Sequence, residues 1–182
     1  MKQAPDQRPD ARGIRLALLR AAFNAHVVDG LAGGAREAFA SLGGRPAALA
    51  EIEVPGAYEL PLAAQEAARS RRFDAVVALG AVIRGETDHY EHVARAATEG
   101  LEAVARATRI PVAFGVLTVT EERQALERAA PGPDNKGAEA VRAAVAMVHV
   151  LRRLRPTRRP GPALRPSRSP ASPAQRRRNR GD

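Results

Sequence analysis

The residues best suited to chemistry lie in one run, from Leu79 to Val93, where an apolar segment leads through a glycine to two histidines. The apolar part is typical of a buried strand, and the turn after it opens into a helix that carries His89 and His92. Unpaired N–H groups at a helix N-terminus bind anions, and a histidine beside them can transfer protons. The run therefore predicts half of an active site, at the carboxyl end of a strand.

The rest of the chain alternates apolar and amphipathic segments that would position this run. Strands are predicted at 14–22, 47–54, 75–83 and 111–117, and helices at 26–42, 61–70, 88–108, 121–130 and 136–154. Periodicity alone leaves a short buried helix open for the first segment. Thr87 or Asp88, Thr120 and Asn135 are expected to cap the last three helices, with Asp88 and Glu91 spaced as a capping box. The alternation predicts an α/β fold, with a four-stranded parallel sheet between two layers of helices.

Composition limits the class of protein. The chain has 182 residues, 45% of them hydrophobic, enough for one sizeable core but not for two full domains. It has no cysteine, which excludes disulfides and thiolate metal sites. No apolar run approaches the roughly 20 residues that span a bilayer, and residues 1–12 lack a signal-peptide core, so a cytoplasmic location is expected.

The positive charge is concentrated at one end of the chain. Eleven arginines and one aspartate lie between Arg152 and Asp182, a net charge of +10; because the whole chain carries +9, residues 1–151 together carry −1. The same stretch holds six prolines and no aromatic residue, so residues 155–182 are predicted to be a disordered Arg/Pro-rich tail. The tail is either a solvated extension or a non-specific binder of anionic cargo, without side chains that could stack on bases.

Five segments, in order, resemble the signature segments of the lumazine synthase family: FNAHVVDGLAGGA, VPGAYELP, LGAVIRGETDHYEHV, PVAFGVLTVTEERQALERA and NKGAEAVRAAVAM. The resemblance covers about residues 13–154 and implies a domain of those bounds, preceded by a flexible arm at 1–12. It implies a three-layer sandwich with a flavodoxin-like sheet. It also implies the condensation of 5-amino-6-(D-ribitylamino)uracil with 3,4-dihydroxy-2-butanone 4-phosphate to 6,7-dimethyl-8-ribityllumazine, releasing phosphate and water, without a cofactor or a metal.

The resemblance also assigns roles to residues of this chain. His89 would be the proton-transfer residue. The pyrimidine substrate would contact Phe23, Ala57, Tyr58, Glu59, Ala81, Val82, Ile83 and Phe114, of which Phe114 would come from a neighbouring subunit. The phosphate substrate would contact Gly85, Glu86, Thr87, Arg128 and Lys136.

Two of these assignments keep an alternative on chemical grounds, and two positions depart from the family pattern. His89 and His92 could form a metal site with Glu86 or Asp88. The implied chemistry requires no metal, and without a metal His92 would be a wall or support residue. Lys136 could simply start its helix. Tyr58 replaces a frequent phenylalanine and Asp88 adds a charge near the phosphate loop; both departures are expected to tune the activity without abolishing it.

The family builds its site between subunits of a homopentamer, and some members close twelve pentamers into a shell. The resemblance therefore implies a homo-oligomer, with a pentamer, a decamer and a 60-subunit shell left open. The alternative function is a cage-forming or cargo- or lumazine-binding protein on the same scaffold, with weak catalysis.

Overall fold

The computed structural model describes residues 9–154. Most of the predicted N-terminal arm and the whole predicted tail therefore lie outside the described residues. The strands are β1 (Leu16–Ala21), β2 (Leu49–Val54), β3 (Ala75–Ile83) and β4 (Val112–Val119). The helices are α1 (Ala25–Ser41), α2 (Leu60–Arg69), α3 (His89–Thr108), α4 (Glu122–Ala129) and α5 (Lys136–Leu154), with a short 3-10 turn at Pro46–Ala48.

The four strands form one parallel sheet in the order β2-β1-β3-β4. This is the order of the first four strands of a flavodoxin-like sheet. The chain adds β2 on one side of β1 and then β3 on the other side, so the strand order reverses between β1 and β3. Leu16 pairs with Ala75, so β1 and β3 start level, but β3 has nine residues and β1 has six. The last three residues of β3, from Ala81 to Ile83, consequently pair with β4 alone and rise above the end of β1.

Helices cover both faces of the sheet, as the alternation of segments predicts. One core cluster joins α1, α4 and α5 to the sheet, and the other joins α2 and α3 to the opposite face. Alternate residues of β3 enter the two clusters, with Val77 and Leu79 on one side and Val76 and Ala78 on the other. This double burial explains why β3 is apolar throughout. The described part of the chain has no helix long and apolar enough to cross a membrane.

The predicted elements are all present, but several ends differ. Of the two caps predicted for α3, Thr87 or Asp88, it is Asp88 that occupies the N-cap position, but the predicted side-chain cap is wrong: Asp88 has helical backbone angles, φ −70° and ψ 0°, and its side chain makes no cap hydrogen bond. The Thr120 prediction is also wrong, because α4 begins one residue later and the Thr120 hydroxyl bonds to Gln124. The Asn135 prediction is confirmed, since Asn135 Oδ1 accepts from backbone N–H groups at the start of α5.

The amino ends of β1 and β3 are joined by charged groups. Asp74 accepts hydrogen bonds from the backbone N–H and the Nε of Arg15, at 2.9 and 3.2 Å. Burial opposes ionisation of Asp74, but these bonds outweigh it and lower its pKa. A nearby pair, Asp10 with Arg12, lowers the pKa of Asp10 to about 2, chiefly through the side-chain hydrogen bond. Ala11, inside the predicted arm, is fully buried.

This arrangement predicts an acid-sensitive stability. Because the pKa of Asp74 is lower in the folded chain than in the unfolded chain, its stabilising contribution is complete above about pH 4 and is lost as pH falls. Asp74→Asn should lower the free energy of unfolding near neutral pH, and the difference from wild type should shrink as pH approaches about 2. Urea unfolding over this pH range measures both effects. The control is Asp134→Asn, which changes an exposed carboxylate. If the plots of unfolding free energy against pH for Asp74→Asn and for wild type stay parallel, the assignment is contradicted.

Candidate functional site

The first cavity, cavity A, lies above the carboxyl ends of β1 and β3, where the strand order reverses. Its volume is about 630 Å³, within the range of small-molecule sites. The wall on one side is the raised end of β3, and the opposite wall is the turn that follows β2. The lining residues are Phe23, Pro55, Gly56, Ala57, Tyr58, Glu59, Ala81, Val82, Ile83, Gly85, Thr87, His89, Tyr90 and Val93.

The corner after β1 is held by Asn24. This residue has left-handed backbone angles, φ 59° and ψ 40°, a conformation that asparagine tolerates better than most residues. Its Nδ2 donates to the carbonyl oxygen of Ala81, at 2.9 Å, and so ties the start of α1 to the raised end of β3. Phe23, one residue earlier, is thereby fixed beside the cavity and remains 70% exposed.

The polar groups of cavity A come from two segments of the chain, one after β2 and one after β3. Glu59 follows the turn after β2, next to Tyr58, whose side chain is exposed. Gly85, Thr87 and His89 follow β3, and His89 is the first residue of α3. The backbone of this loop is continuous with the sheet, since Arg84 N–H donates to the Val119 carbonyl oxygen at 2.9 Å. The cavity therefore combines an apolar lining with a carboxylate from the segment after β2 and an imidazole beside a glycine loop from the segment after β3.

A second cavity, cavity B, lies on the edge strand β4, in the layer of α4 and α5. It measures about 270 Å³ and shares no lining residue with cavity A. Its cations are Arg128, which donates to the Gln124 carbonyl oxygen, and Lys136, which pairs with Glu139 at 2.5 Å. The remaining lining residues are Glu139 itself and Phe114, Gly115, Val116, Leu117, Thr118, Val119 and Ala140.

The predicted site residues thus divide into two groups within one subunit. His89 and the predicted pyrimidine-contacting residues other than Phe114 line cavity A, as do Gly85 and Thr87, whereas Phe114, Arg128 and Lys136 line cavity B. Glu86 is exposed in the loop and lines neither cavity, and neither does His92. No three metal-ligating side chains converge within residues 9–154.

Phe114 lies inside β4, as the predicted strand at 111–117 implies, and not beyond its carboxyl end. Strand β4 runs to Val119, two residues further than predicted, and Phe114 pairs with Ala78 in the middle of β3. Four residues that line cavity A are absent from the predicted site: Pro55, Gly56, Tyr90 and Val93. Helical spacing could have revealed Val93, because it follows His89 by four residues and therefore shares its face of α3.

Together, the sheet order and cavity A define a class: a flavodoxin-like α/β protein with a small-molecule site at the point where the strand order reverses. Comparison with known proteins narrows the class to one family. The model of the 6,7-dimethyl-8-ribityllumazine synthase family matches residues 13–152, and the chain belongs to this family.

Curated relatives agree with the family match. The chain is 50% identical over 141 residues to proteins named 6,7-dimethyl-8-ribityllumazine synthase from two strains of Thermus thermophilus; the match covers 78% of this chain and 90% of each relative. It is 48% identical over 155 residues to a Kineococcus radiotolerans protein of the same name, covering 84% of this chain and 94% of the relative.

The geometry at Asn24 predicts that two substitutions lower the free energy of unfolding by different amounts. Asn24→Ala removes the bond to Ala81 and puts in a left-handed conformation a residue that tolerates it less well than asparagine, so the free energy of unfolding should fall by about 2 kcal/mol. Asn24→Gly also removes the bond but adopts the left-handed conformation readily, so it should cost about 1 kcal/mol. Urea unfolding of the two variants measures the difference, and equal losses would show that the backbone angle of Asn24 costs alanine nothing.

Proposed function

We propose that the chain condenses 5-amino-6-(D-ribitylamino)uracil with 3,4-dihydroxy-2-butanone 4-phosphate to 6,7-dimethyl-8-ribityllumazine, in riboflavin biosynthesis. The observation that carries this proposal is the composition of cavity A, which joins an apolar floor to an imidazole and a glycine loop. The names of the curated relatives support the same reaction. They do not favour the alternative of a cage or binding protein with weak catalysis.

The pyrimidine binds over the apolar part of cavity A. Its planar ring stacks on Phe23, whose exposed face is available, and lies between the turn at Ala57 and the raised end of β3. Backbone groups of Ala81, Val82 and Ile83 contact the ring and the ribityl chain. Glu59 accepts hydrogen bonds from ribityl hydroxyls, and the neighbouring Tyr58 adds a hydroxyl to the cavity wall.

The phosphate group binds at the loop before α3. Gly85 has no neighbouring atom within 4 Å of where a β-carbon would lie, so the backbone there is open to an anion. Thr87 supplies a hydroxyl and a main-chain N–H, Glu86 contributes its main chain, and the N-terminus of α3 adds a partial positive charge. This loop contributes no cationic side chain to cavity A, so phosphate binding needs a cation from elsewhere.

His89 moves the protons of the reaction. The amine of the pyrimidine adds to the ketone of the second substrate, and loss of water gives an imine. Elimination of phosphate follows, and ring closure onto the remaining carbonyl expels a second water. Each step gives up or takes up a proton near the carbon skeleton, and His89 lies in the cavity two residues after Thr87, beside the phosphate seat.

A neighbouring copy of the chain supplies the missing groups. Cavity B holds two cations, which cavity A lacks, and an exposed phenylalanine that adds a second aromatic wall to the Phe23 of cavity A. When cavity B of one subunit faces cavity A of the next, Phe114 closes over the pyrimidine, while Arg128 grips the phosphate oxygens and Lys136 adds positive potential. Because the two cavities are different surfaces, such contacts are head-to-tail and close into a ring, the homopentamer of the resemblance.

Other properties remain predictions. The arm at 1–12, the domain at 13–154 and the tail at 155–182 are proposed bounds. The tail is proposed to bind anionic cargo non-specifically through its arginines, and its net charge supports this. The cytoplasmic location and assembly beyond the pentamer, as a decamer or a 60-subunit shell, are likewise expectations.

Steady-state kinetics with both substrates test the proposed function. His89→Ala should lower kcat by about 100-fold without abolishing turnover, because the imine forms without a catalyst. Arg128→Ala should raise the KM for the phosphate substrate by about 10- to 100-fold, because it removes charge-assisted hydrogen bonds. Lumazine absorbance and phosphate release measure both changes.

The matched control is Arg123→Ala, since Arg123 lies on the same helix as Arg128 but pairs with Glu127. It should leave both KM values unchanged. Wild-type turnover equal to that of buffer would overturn the proposed reaction. An unchanged KM in Arg128→Ala would overturn the phosphate assignment alone.

A further inference from the structure

The one buried polar or charged residue in the described part of the chain is Asn135, with 1% of its surface exposed. Its amide oxygen accepts from the backbone N–H groups of Gly137 and Ala138, at 2.9 and 3.0 Å. Its amide nitrogen donates to the carbonyl oxygens of Ala129, Ala130 and Gly30, at 2.8, 3.1 and 3.1 Å. One side chain therefore bonds to the start of α5, the end of α4 and the middle of α1.

These bonds satisfy groups that helix ends leave unpaired. The carbonyls of Ala129 and Ala130 have no partner further along α4, and the first N–H groups of α5 have none inside that helix. The reverse orientation of the amide would bring its oxygen against three carbonyl oxygens, so the surroundings fix which atom faces which helix. Asn135 is thus both the cap of α5 and a clamp on the end of α4.

The neighbouring backbone is shaped around this clamp. A β-carbon at Gly34 would collide with the amide of Asn135, and one at Gly137 would collide with the Leu31 carbonyl oxygen. Helix α1 therefore approaches both the amide and the start of α5 more closely than any larger residue at these two positions would permit. A junction packed this tightly leaves the end of α4 little freedom to shift.

The two cations of cavity B lie on either side of this junction. Arg128 immediately precedes Ala129, whose carbonyl receives the shortest of the three donated bonds, and Lys136 immediately follows Asn135. We propose that Asn135 is a positioning residue for phosphate binding, which sets the place of Arg128 by clamping the end of α4 to α1 and α5. This proposal rests on the proposed function, because it takes Arg128 as the cation for the phosphate.

Kinetics of Asn135→Ser test the clamp. Serine still caps α5 but cannot reach the three carbonyls, so the KM for the phosphate substrate should rise about five- to tenfold. The KM for the pyrimidine and kcat should stay within about twofold. Asn135→Asp, which keeps the size of the side chain and replaces the donor by an acceptor, should raise the KM for the phosphate substrate further.

A matched control separates positioning from general stability. Val148→Ala removes buried atoms from the same helix, far from the junction, and should lower the melting temperature without changing either KM. Amide hydrogen exchange of residues 122–130 should accelerate in Asn135→Ser and not in Val148→Ala. A rise in both KM values, or an exchange rate unchanged in Asn135→Ser, would overturn the proposal.

A double-mutant cycle tests the route through Arg128. In an Arg128→Ala background, Asn135→Ser should have no further effect on the KM for the phosphate substrate, because the residue it positions is gone. An increase of the same size in both backgrounds would overturn that route. A wild type without turnover would instead overturn the proposed function, and the exchange measurement would still decide whether Asn135 holds α4.

Discussion

The site depends first on the register of β3 in the sheet. β3 starts level with β1 but is three residues longer, so Ala81 to Ile83 stand above the end of β1 and form a wall. The same overhang delivers the loop before α3, and with it His89, to the cavity. A slip of one residue would exchange the faces of Leu79 and Val82, placing every β3 side chain in the wrong core.

The sequence is most informative where burial alone decides the structure. β3 begins and ends where predicted because its apolar run is bounded by Asp74 and Arg84. α5 begins where predicted because Asn135 caps it. The Asp88 cap failed because that choice depends on a backbone angle, which composition does not encode. The end of β4 was missed because Thr118 and Val119 suit a strand or a loop equally well.

The lining of cavity A was largely predictable as a set of residues, but the arrangement of the predicted site residues in two cavities was not. Order along the chain places Phe23, Glu59 and His89 near strand ends, and parallel topology then brings them together. Nothing local tells that Arg128 lies in a different cavity from Gly85, since the packing of α4 on α1 decides this. The same holds for the clamp at Asn135, whose partner Gly30 is 105 residues away.

The division of the predicted site residues between two cavities leads to our central proposal, which is that catalysis depends on contact between copies of the chain. The most direct test mixes His89→Ala and Arg128→Ala subunits. The two variants are refolded together, and turnover is measured at a low concentration of the phosphate substrate. With equal mixing, about a quarter of the interfaces should join an intact cavity A to an intact cavity B, so activity should approach a quarter of wild type. Activity no higher than the mean of the two variants measured alone would contradict the claim and place both residues in one subunit's site.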